Sequence, residues 1–110
     1  MANKYINKAF DLSTTDATII YTVPAETVAI VKAVQAYNDT ASAVTVTMSF
    51  TDASASTTYN IGYATSSTVQ QFSLLSDSLL VLEESDILKL TASVGTQVTG
   101  VASILEQDRT

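Results

Sequence analysis

The chain of 110 residues has the length of one ordinary domain, and its 46% hydrophobic against 15% charged residues supply enough apolar material for a packed core. It contains no cysteine, histidine or tryptophan, which excludes disulfide scaffolds, thiolate or imidazole metal sites and nucleophiles activated by histidine. Five basic against 11 acidic residues give a net charge of −6, which disfavours nucleic acid as a partner. With no signal-peptide core and no stretch long enough to span a bilayer, the sequence predicts a soluble protein made in a reducing compartment.

Apolar and hydroxyl side chains alternate most clearly between residues 43 and 52. The apolar members of this segment are Val44, Val46, Met48 and Phe50. A period of two residues is typical of a strand with one face in the core and the other in solvent. We therefore expect these four side chains, Phe50 included, to be buried.

Turn signals divide the rest of the chain into segments of similar length. Predicted strands cover residues 5–11, 17–23, 27–38, 43–52, 57–64, 68–75, 78–82, 86–93 and 97–106. Eight to nine short strands without helical periodicity predict an all-β fold, a two-sheet antiparallel β-sandwich of jelly-roll or immunoglobulin-like topology. Residues 1–16 are assigned to an N-terminal arm or first strand, and residues 17–110 to the sandwich domain.

Lys32 interrupts the apolar pattern of the predicted strand 27–38. Strict alternation places it on the same face as Val28, Ile30 and Val34, where a charge is costly if that face is in the core. Two structures remove the conflict: a β-bulge that resets the phase near Lys32, or a position at a sheet edge from which the side chain reaches solvent. The sequence leaves both open.

Acidic residues provide a candidate metal site. Glu83, Glu84 and Asp86, with Asp77 nearby in the sequence, are possible oxygen ligands for calcium, but their spacing matches no standard calcium loop. A solvated acidic turn between two strands is therefore the favoured interpretation. We assign no catalytic residue, metal ligand or cofactor, and expect the chain not to be an enzyme.

Four tyrosines, Tyr59 and Tyr63 with Tyr37 and Tyr21, are candidates for contact with a sugar or a partner protein. Tyr59 and Tyr63 lie four residues apart in the predicted strand 57–64. The position of Tyr59 in the alternating pattern favours packing in the core, and the position of Tyr63 leaves its role open.

Four segments carry a resemblance to a known family: residues 21–34, 38–46, 56–59 and 79–93. They resemble small bacteriophage virion proteins, which have a Thr-Val-Pro-Ala turn before an apolar strand and a late hairpin that ends in a Leu-Lys strand. Those proteins often carry glycine where this chain has Glu26 and Ser85. The resemblance covers most of the chain and implies a β-sandwich.

The resemblance implies a structural role in the phage particle. One such role is that of a capsid decoration (cement) protein, which binds across coat subunits on the outer capsid surface and stabilises the DNA-filled head. The alternative is a module of the tail, neck or fibre that binds a host receptor or glycan. The sandwich makes up nearly the whole chain, which favours decoration. The expected partners are the major capsid protein and further copies of the chain, with a trimer favoured; no nucleic acid, membrane or cofactor is expected.

The segment ahead of the recognisable sandwich is the predicted docking segment. It holds two of the five basic residues. The residues assigned to docking are Lys4, Tyr5, Ile6, Lys8 and Phe10. On this hypothesis, removal of residues 1–10 leaves the sandwich folded; the alternative is that the segment packs as a first strand.

Overall fold

The computed structural model describes residues 3–39, 42–75, 79–93 and 98–108. Within these ranges the chain forms nine strands and no helix, so none of the described residues lies in a helix that could cross a membrane. The strands are β1 (Asn3–Leu12), β2 (Thr18–Thr22), β3 (Thr27–Asn38), β4 (Val44–Asp52), β5 (Thr57–Ser66), β6 (Gln70–Leu75), β7 (Leu80–Leu82), β8 (Ile87–Ala92) and β9 (Val98–Asp108). The predicted all-β fold is confirmed, and each predicted strand end lies within two residues of the observed one.

The strands form two antiparallel sheets. The five-stranded sheet has the order β1-β9-β3-β6, with β7 also paired to β3, and the four-stranded sheet has the order β2-β8-β4-β5. Most connections cross from one sheet to the other, so the apolar inner face of each sheet packs against that of its neighbour. The predicted two-sheet sandwich is therefore confirmed.

The hydrophobic core lies between the sheets and takes side chains from both. Full burial of a Val, Leu or Ile side chain contributes about 1.5–3 kcal/mol to folding. Every strand except β5 and β6 supplies at least one buried apolar residue from the described ranges. These residues, together with Val23 directly after β2, are Phe10, Leu12, Tyr21, Val23, Ala29, Val31, Val34, Ala36, Val44, Val46, Met48, Leu82, Leu88, Leu90, Ala92, Val98, Ala102 and Ile104.

β3 changes the phase of its alternation at Lys32. Its register with β9 shifts between Val31 and Ala33, which marks a bulge. Ahead of the bulge the buried residues include Ala29 and Val31, and beyond it Val34 is buried, whereas Lys32 is exposed. Because β3 has strand partners on both sides, it is not an edge strand. Of the two interpretations of the sequence, the bulge is the one confirmed.

A second bulge lies in the pairing of β4 with β5. Met48 is opposite Gly62 and Ser49 is opposite Asn60, which leaves Ile61 without an opposite residue. The residues of β5 that face the core are therefore even-numbered after the bulge and odd-numbered before it. Strict alternation along β5, as the sequence predicts, does not hold.

Phe50 and Tyr59 lie at the margin of the core. Phe50 is half-buried and packs against the core cluster, with its ring centroid 5.8 Å from that of Tyr59. Tyr59 is 47% exposed, because β5 is an edge strand and no further strand covers the ring. The prediction of core burial is therefore wrong for Tyr59, and Phe50 is less buried than predicted.

Three described residues other than glycine have a positive φ. They are Glu26 (57°), Ser56 (53°) and Ser85 (71°), all beside turns. Glu26 and Ser85 stand where the similar virion proteins often carry glycine. A left-handed conformation costs an L-residue about 1–2 kcal/mol, and glycine avoids that cost because it has no Cβ. Both turns therefore have the backbone geometry for which glycine is best suited.

Asp86 joins three turns at one end of the sandwich. Its carboxylate oxygens accept hydrogen bonds from the backbone N–H groups of Ala53 (3.0 Å) and Glu83 (2.9 Å). Its carbonyl oxygen accepts a third from the N–H of Val23 (2.9 Å). The side chain is buried, so the prediction of a solvated acidic turn is wrong for this residue. Hydrogen bonds to a carboxylate are stronger than neutral ones, and Asp86 uses both of its oxygens to hold backbone.

Asn38 has a similar role at the opposite end. It is fully buried, and its Nδ2 donates to the carbonyl oxygens of Ser42 (3.0 Å) and Thr68 (3.1 Å). The same amide lies 3.4 Å from the hydroxyl of Ser66, which in turn donates to the carbonyl of Thr68. These bonds tie the turn after β3 to the turn after β5, and thus one sheet to the other.

Tyr21 and Glu106 link the sheets through a side-chain hydrogen bond. The hydroxyl of Tyr21 on β2 donates to Oε2 of Glu106 on β9. Burial, and then the hydrogen bond and charge of Glu106, raise the pKa of Tyr21 well above its ordinary value. The folded state therefore strongly favours the protonated phenol.

Gly100 allows β9, β3 and Phe10 to pack closely. A Cβ atom at this position would lie 2.1 Å from the carbonyl oxygen of Gln35 and 2.5 Å from Cζ of Phe10. Gly62 on β5 differs, because a Cβ there would meet no atom within 4 Å. The two glycines therefore form a matched pair, one packed and one open.

We expect Gly100→Ala to lower the free energy of unfolding by about 1–3 kcal/mol, because the backbone of β3 and the ring of Phe10 must shift to admit the methyl group. Gly62→Ala is the control and is expected to cost nothing or to stabilise by up to about 1 kcal/mol, since it restricts the unfolded chain. Urea unfolding followed by circular dichroism measures both. Equal effects of the two substitutions would contradict the close packing at Gly100.

We expect the stability of the protein to fall as pH rises above about 10, because the phenol of Tyr21 ionises there in the unfolded chain but stays protonated in the folded one. The contribution of this group is fully present below about pH 10 and decreases by at most about 1.4 kcal/mol per pH unit above it. Tyr21→Phe should therefore show a shallower loss of stability over this pH range. Urea unfolding at several alkaline pH values tests this, and identical slopes for the two proteins would refute the assignment.

Candidate docking surface

The five residues predicted to dock lie in β1, which pairs with β9 along its whole length. Their side chains alternate between the two faces of the sheet, so they do not form one surface. Phe10 is buried in the core and Ile6 packs against it, whereas Lys4, Tyr5 and Lys8 are exposed. Removal of residues 1–10 would therefore take a core side chain and most of an edge strand with it.

Lys4 and Lys8 occupy the outer edge of β1. Lys8 is opposite the buried Ala102, so it lies on the core side of the sheet, yet it is exposed at the margin. A cation in this position discourages pairing with a further strand. Lys4 is opposite Glu106 and lines, with Asp108, a groove of about 270 Å³. Both lysines thus have a structural explanation that requires no partner.

A line of apolar side chains crosses the outer face of the five-stranded sheet. Tyr5 is opposite Leu105, Leu105 is opposite Ile30, and Ile30 is opposite Val81, so β1, β9, β3 and β7 each contribute one adjacent side chain. Tyr5 is 74% and Val81 58% exposed, and the two residues between them are half-buried. We call these four residues the apolar row. An outer sheet face is normally polar, so the row is the candidate docking surface.

The face that carries the apolar row is almost free of charge. Of the outward-facing strand residues in the described part of this sheet, Lys32 and Asp11 are the charged ones. Lys32 follows the core-facing Val31 and therefore lies on the outer face, where its Nζ is 5.6 Å from the centroid of the Tyr5 ring, within the range of a cation–π interaction. Amide and hydroxyl side chains flank the row: Asn3, Asn7, Ser103 and Gln107.

A shallow groove of about 270 Å³ lies further along the same face. Ala36 and Gly100 are among its lining residues. Uncharged side chains of β3, β6 and β9 form its walls: Gln35, Tyr37, Gln71, Thr99 and Val101. The face therefore offers apolar contacts at the row and hydrogen-bonding groups at the groove.

The acidic turn between β7 and β8 does not have the geometry of a metal site. Glu83 and Glu84 are exposed, and both carboxylate oxygens of Asp86 accept backbone hydrogen bonds. In the described ranges, no three acidic, histidine or cysteine residues are grouped closely enough to hold a metal ion. Asp77 lies outside the described residues.

Of the apolar row, only Tyr5 was predicted from the sequence to lie at a docking surface. Ile30, Val81 and Leu105 each look like an ordinary apolar residue of a strand. The missing signal is the pairing of β3 with β7 and β9, which involves residues far apart in the sequence. Alternation around the fully buried Leu82 could have marked Val81 as an outward-facing apolar residue.

No protein-family profile and no curated protein sequence matches this chain. Solved structures do resemble its fold. A protein of the Bacillus endospore appendages, a family of disulfide-linked pili, has a TM-score of 0.50 and 14% identity, over 96% of this chain and 84% of that one. Eiger TNF from S. frugiperda has a TM-score of 0.53 and 14% identity, over 81% of this chain and 64% of that one.

A pentameric capsid protein from metagenomic phage sequences has a TM-score of 0.48 and 22% identity, over 87% of this chain and 66% of that one. The first two likenesses establish the fold alone, since identity is low and one fold serves many functions. This chain contains no cysteine, so the disulfide linkage of the pili has no counterpart in it.

Proposed function

We propose that the chain is a structural protein of a bacteriophage capsid, a decoration protein that binds coat subunits through the apolar row. The observation that carries this proposal is the row itself, in which Tyr5 and Val81 are exposed at 74% and 58% on an outer face that should be polar. The sequence resemblance of residues 21–93 to small phage virion proteins supports the choice of a capsid as the site of action.

The chemistry of the face favours a protein partner. A ring of amide and hydroxyl groups around an aromatic and aliphatic centre is the usual arrangement of a protein interface, with the anchoring side chains in the middle and a polar rim. Tyr5 has the large, rigid ring that dominates such interfaces. The Nζ of Lys32 lies over one face of that ring. A chain with a net charge of −6 can approach another acidic surface through this face because the face itself is nearly neutral.

The proposed mechanism is mechanical. A decoration protein that binds only the assembled, expanded shell stabilises that shell by mass action, because dissociation of the shell would also release the bound protein. Contact with two neighbouring coat subunits at once strengthens the effect through high local concentration. The extended face, with the apolar row at one end and the groove at the other, suits contact with two subunits.

We infer a jelly-roll rather than an immunoglobulin-like topology. The order β1-β9-β3-β6 opposite β2-β8-β4-β5 pairs early strands with late strands in both sheets, as wrapping of a long antiparallel ribbon would produce. The strands β6 and β7 share one position beside β3. Jelly rolls occur in capsid proteins and in lectins, so topology does not choose between capsid binding and glycan binding.

A tail, neck or fibre module that binds a receptor or glycan is the second candidate. It is favoured by Tyr63, which is 74% exposed on β5, and by Tyr59 nearby. Exposed aromatic rings can stack on sugars and on partner proteins. This function uses the four-stranded sheet, whereas capsid decoration uses the five-stranded one, so substitutions can separate them.

We expect the double substitution Tyr5→Thr and Val81→Thr to weaken binding to heads by about tenfold or more, as loss of central interface anchors does. Threonine keeps a β-branched side chain at both exposed strand positions, so the fold should be retained. Tyr63→Thr is the matched control, since Tyr63 and Tyr5 are equally exposed. The assay is co-sedimentation with expanded, undecorated heads of the phage that encodes the chain.

A glycan-array screen of the unmodified chain, the double variant and Tyr63→Thr tests the second candidate. Glycan binding that Tyr63→Thr abolishes, without any binding to heads, would contradict the proposed decoration function. The copy number in purified particles adds an independent measure, because a decoration protein should be about as abundant as the coat protein.

A further inference from the structure

The sandwich has four strand edges, and three of them are protected against pairing with another strand. β1 carries Lys4 and Lys8, β2 has only five residues, and the edge beyond β3 is divided between β6 and the three-residue β7. Charged side chains and short strands are the usual means by which proteins prevent such pairing. The fourth edge, β5, has neither.

β5 is a long, uncharged edge strand. Its ten residues, Thr57–Ser66, include no acidic or basic side chain and no proline, although the whole chain carries a net charge of −6. Most of them are exposed, Tyr63 at 74%, Tyr59 at 47% and Ile61 at 38%. Aromatic and β-branched residues favour strand pairing. An edge of this kind is a template for another strand.

We propose that β5 pairs antiparallel with β5 of a second copy of the chain, across a two-fold axis, so that two four-stranded sheets join into one. The bulge at Ile61 restricts the register, because residues before it must pair with residues after it, and coverage of the whole strand then selects one register. Opposite residues in an antiparallel pair share a face, and the core-facing residues of β5 are odd-numbered before the bulge and even-numbered after it. When the two-fold axis passes between Ile61 and Gly62, core-facing residues of one copy therefore lie opposite core-facing residues of the other.

This register covers all of β5 and pairs large residues with small ones. Ile61 lies opposite Gly62 of the second copy, and Tyr59 lies opposite Ala64. Polar side chains pair with polar ones, since Thr58 lies opposite Thr65 and Asn60 opposite Tyr63. The strand thus complements itself along its whole length.

The self-complementary register favours a second copy as the occupant, and the absence of charge on β5 permits it. Two chains of net charge −6 repel one another, so they associate best where neither contributes charge, and β5 is such a segment. Two-fold pairing uses the same surface on both copies and closes at two chains, so it produces a defined dimer rather than a fibre.

Sedimentation velocity of the full chain over a range of concentrations tests the proposal. We expect a dimer whose dissociation constant rises at least about tenfold in Ile61→Lys, because the substitution brings two like charges together near the axis. Ile19→Lys is the matched control. Ile19 is also an exposed isoleucine on an edge strand of the same sheet, β2, and its substitution should leave the dimer unchanged. Circular dichroism of both variants checks the fold.

A pair of cysteines tests the register directly, since the chain has none of its own. Tyr59→Cys with Ala64→Cys should give a covalent dimer on oxidation, because opposite residues in a sheet lie within disulfide range. A monomer at every concentration, a trimer, or equal effects of the two lysine substitutions would overturn the proposal. So would protection of β5 amides from hydrogen exchange only when heads are present, which would identify a coat strand as the occupant.

Discussion

The bulge at Lys32 decides which residues of β3, the central strand, face the core. β3 is the central strand of the five-stranded sheet and pairs with β9, β6 and β7. A shift of one residue moves every following side chain to the other face. Without the bulge, a twelve-residue strand with Val31 in the core would turn Val34 and Ala36 outward. The bulge lets both halves of β3 bury apolar residues, while Lys32, next to the core-facing Val31, lies on the outer face beside Tyr5.

Charge is distributed unevenly over the structure. Acidic side chains are concentrated in the turns and at the ends of strands, where Asp86 holds the backbone of three turns and Glu106 accepts a bond from the opposite sheet. The outer face around the apolar row and the edge at β5 remain nearly uncharged. The charged turns thus counteract aggregation, and the neutral surfaces remain available for contact. The second bulge, at Ile61, sets the faces of β5 in the way that the first sets those of β3.

Local patterns in the sequence predicted the number of strands, their limits and the phase break at Lys32, because alternation and turn residues depend on near neighbours. They were wrong about Tyr59, since its exposure depends on β5 being an edge, and alternation does not say which strands are edges. They also assigned Phe10 to a docking segment, whereas pairing of β1 with β9 puts its ring against Gly100. The apolar row could not be predicted for the same reason: its members come together only through pairings between distant segments. Local pattern determines the strands, and long-range pairing determines the surfaces.

On the proposed function, the apolar row contacts the coat lattice. Site-specific photo-cross-linking tests it most directly, with benzoylphenylalanine in place of Tyr5 in one protein and of Tyr63 in another. The two positions are equally exposed and lie on opposite sheets. We predict a cross-link to the coat protein from position 5 on decorated heads and none from position 63. A cross-link from position 63 with none from position 5 would refute docking through the apolar row.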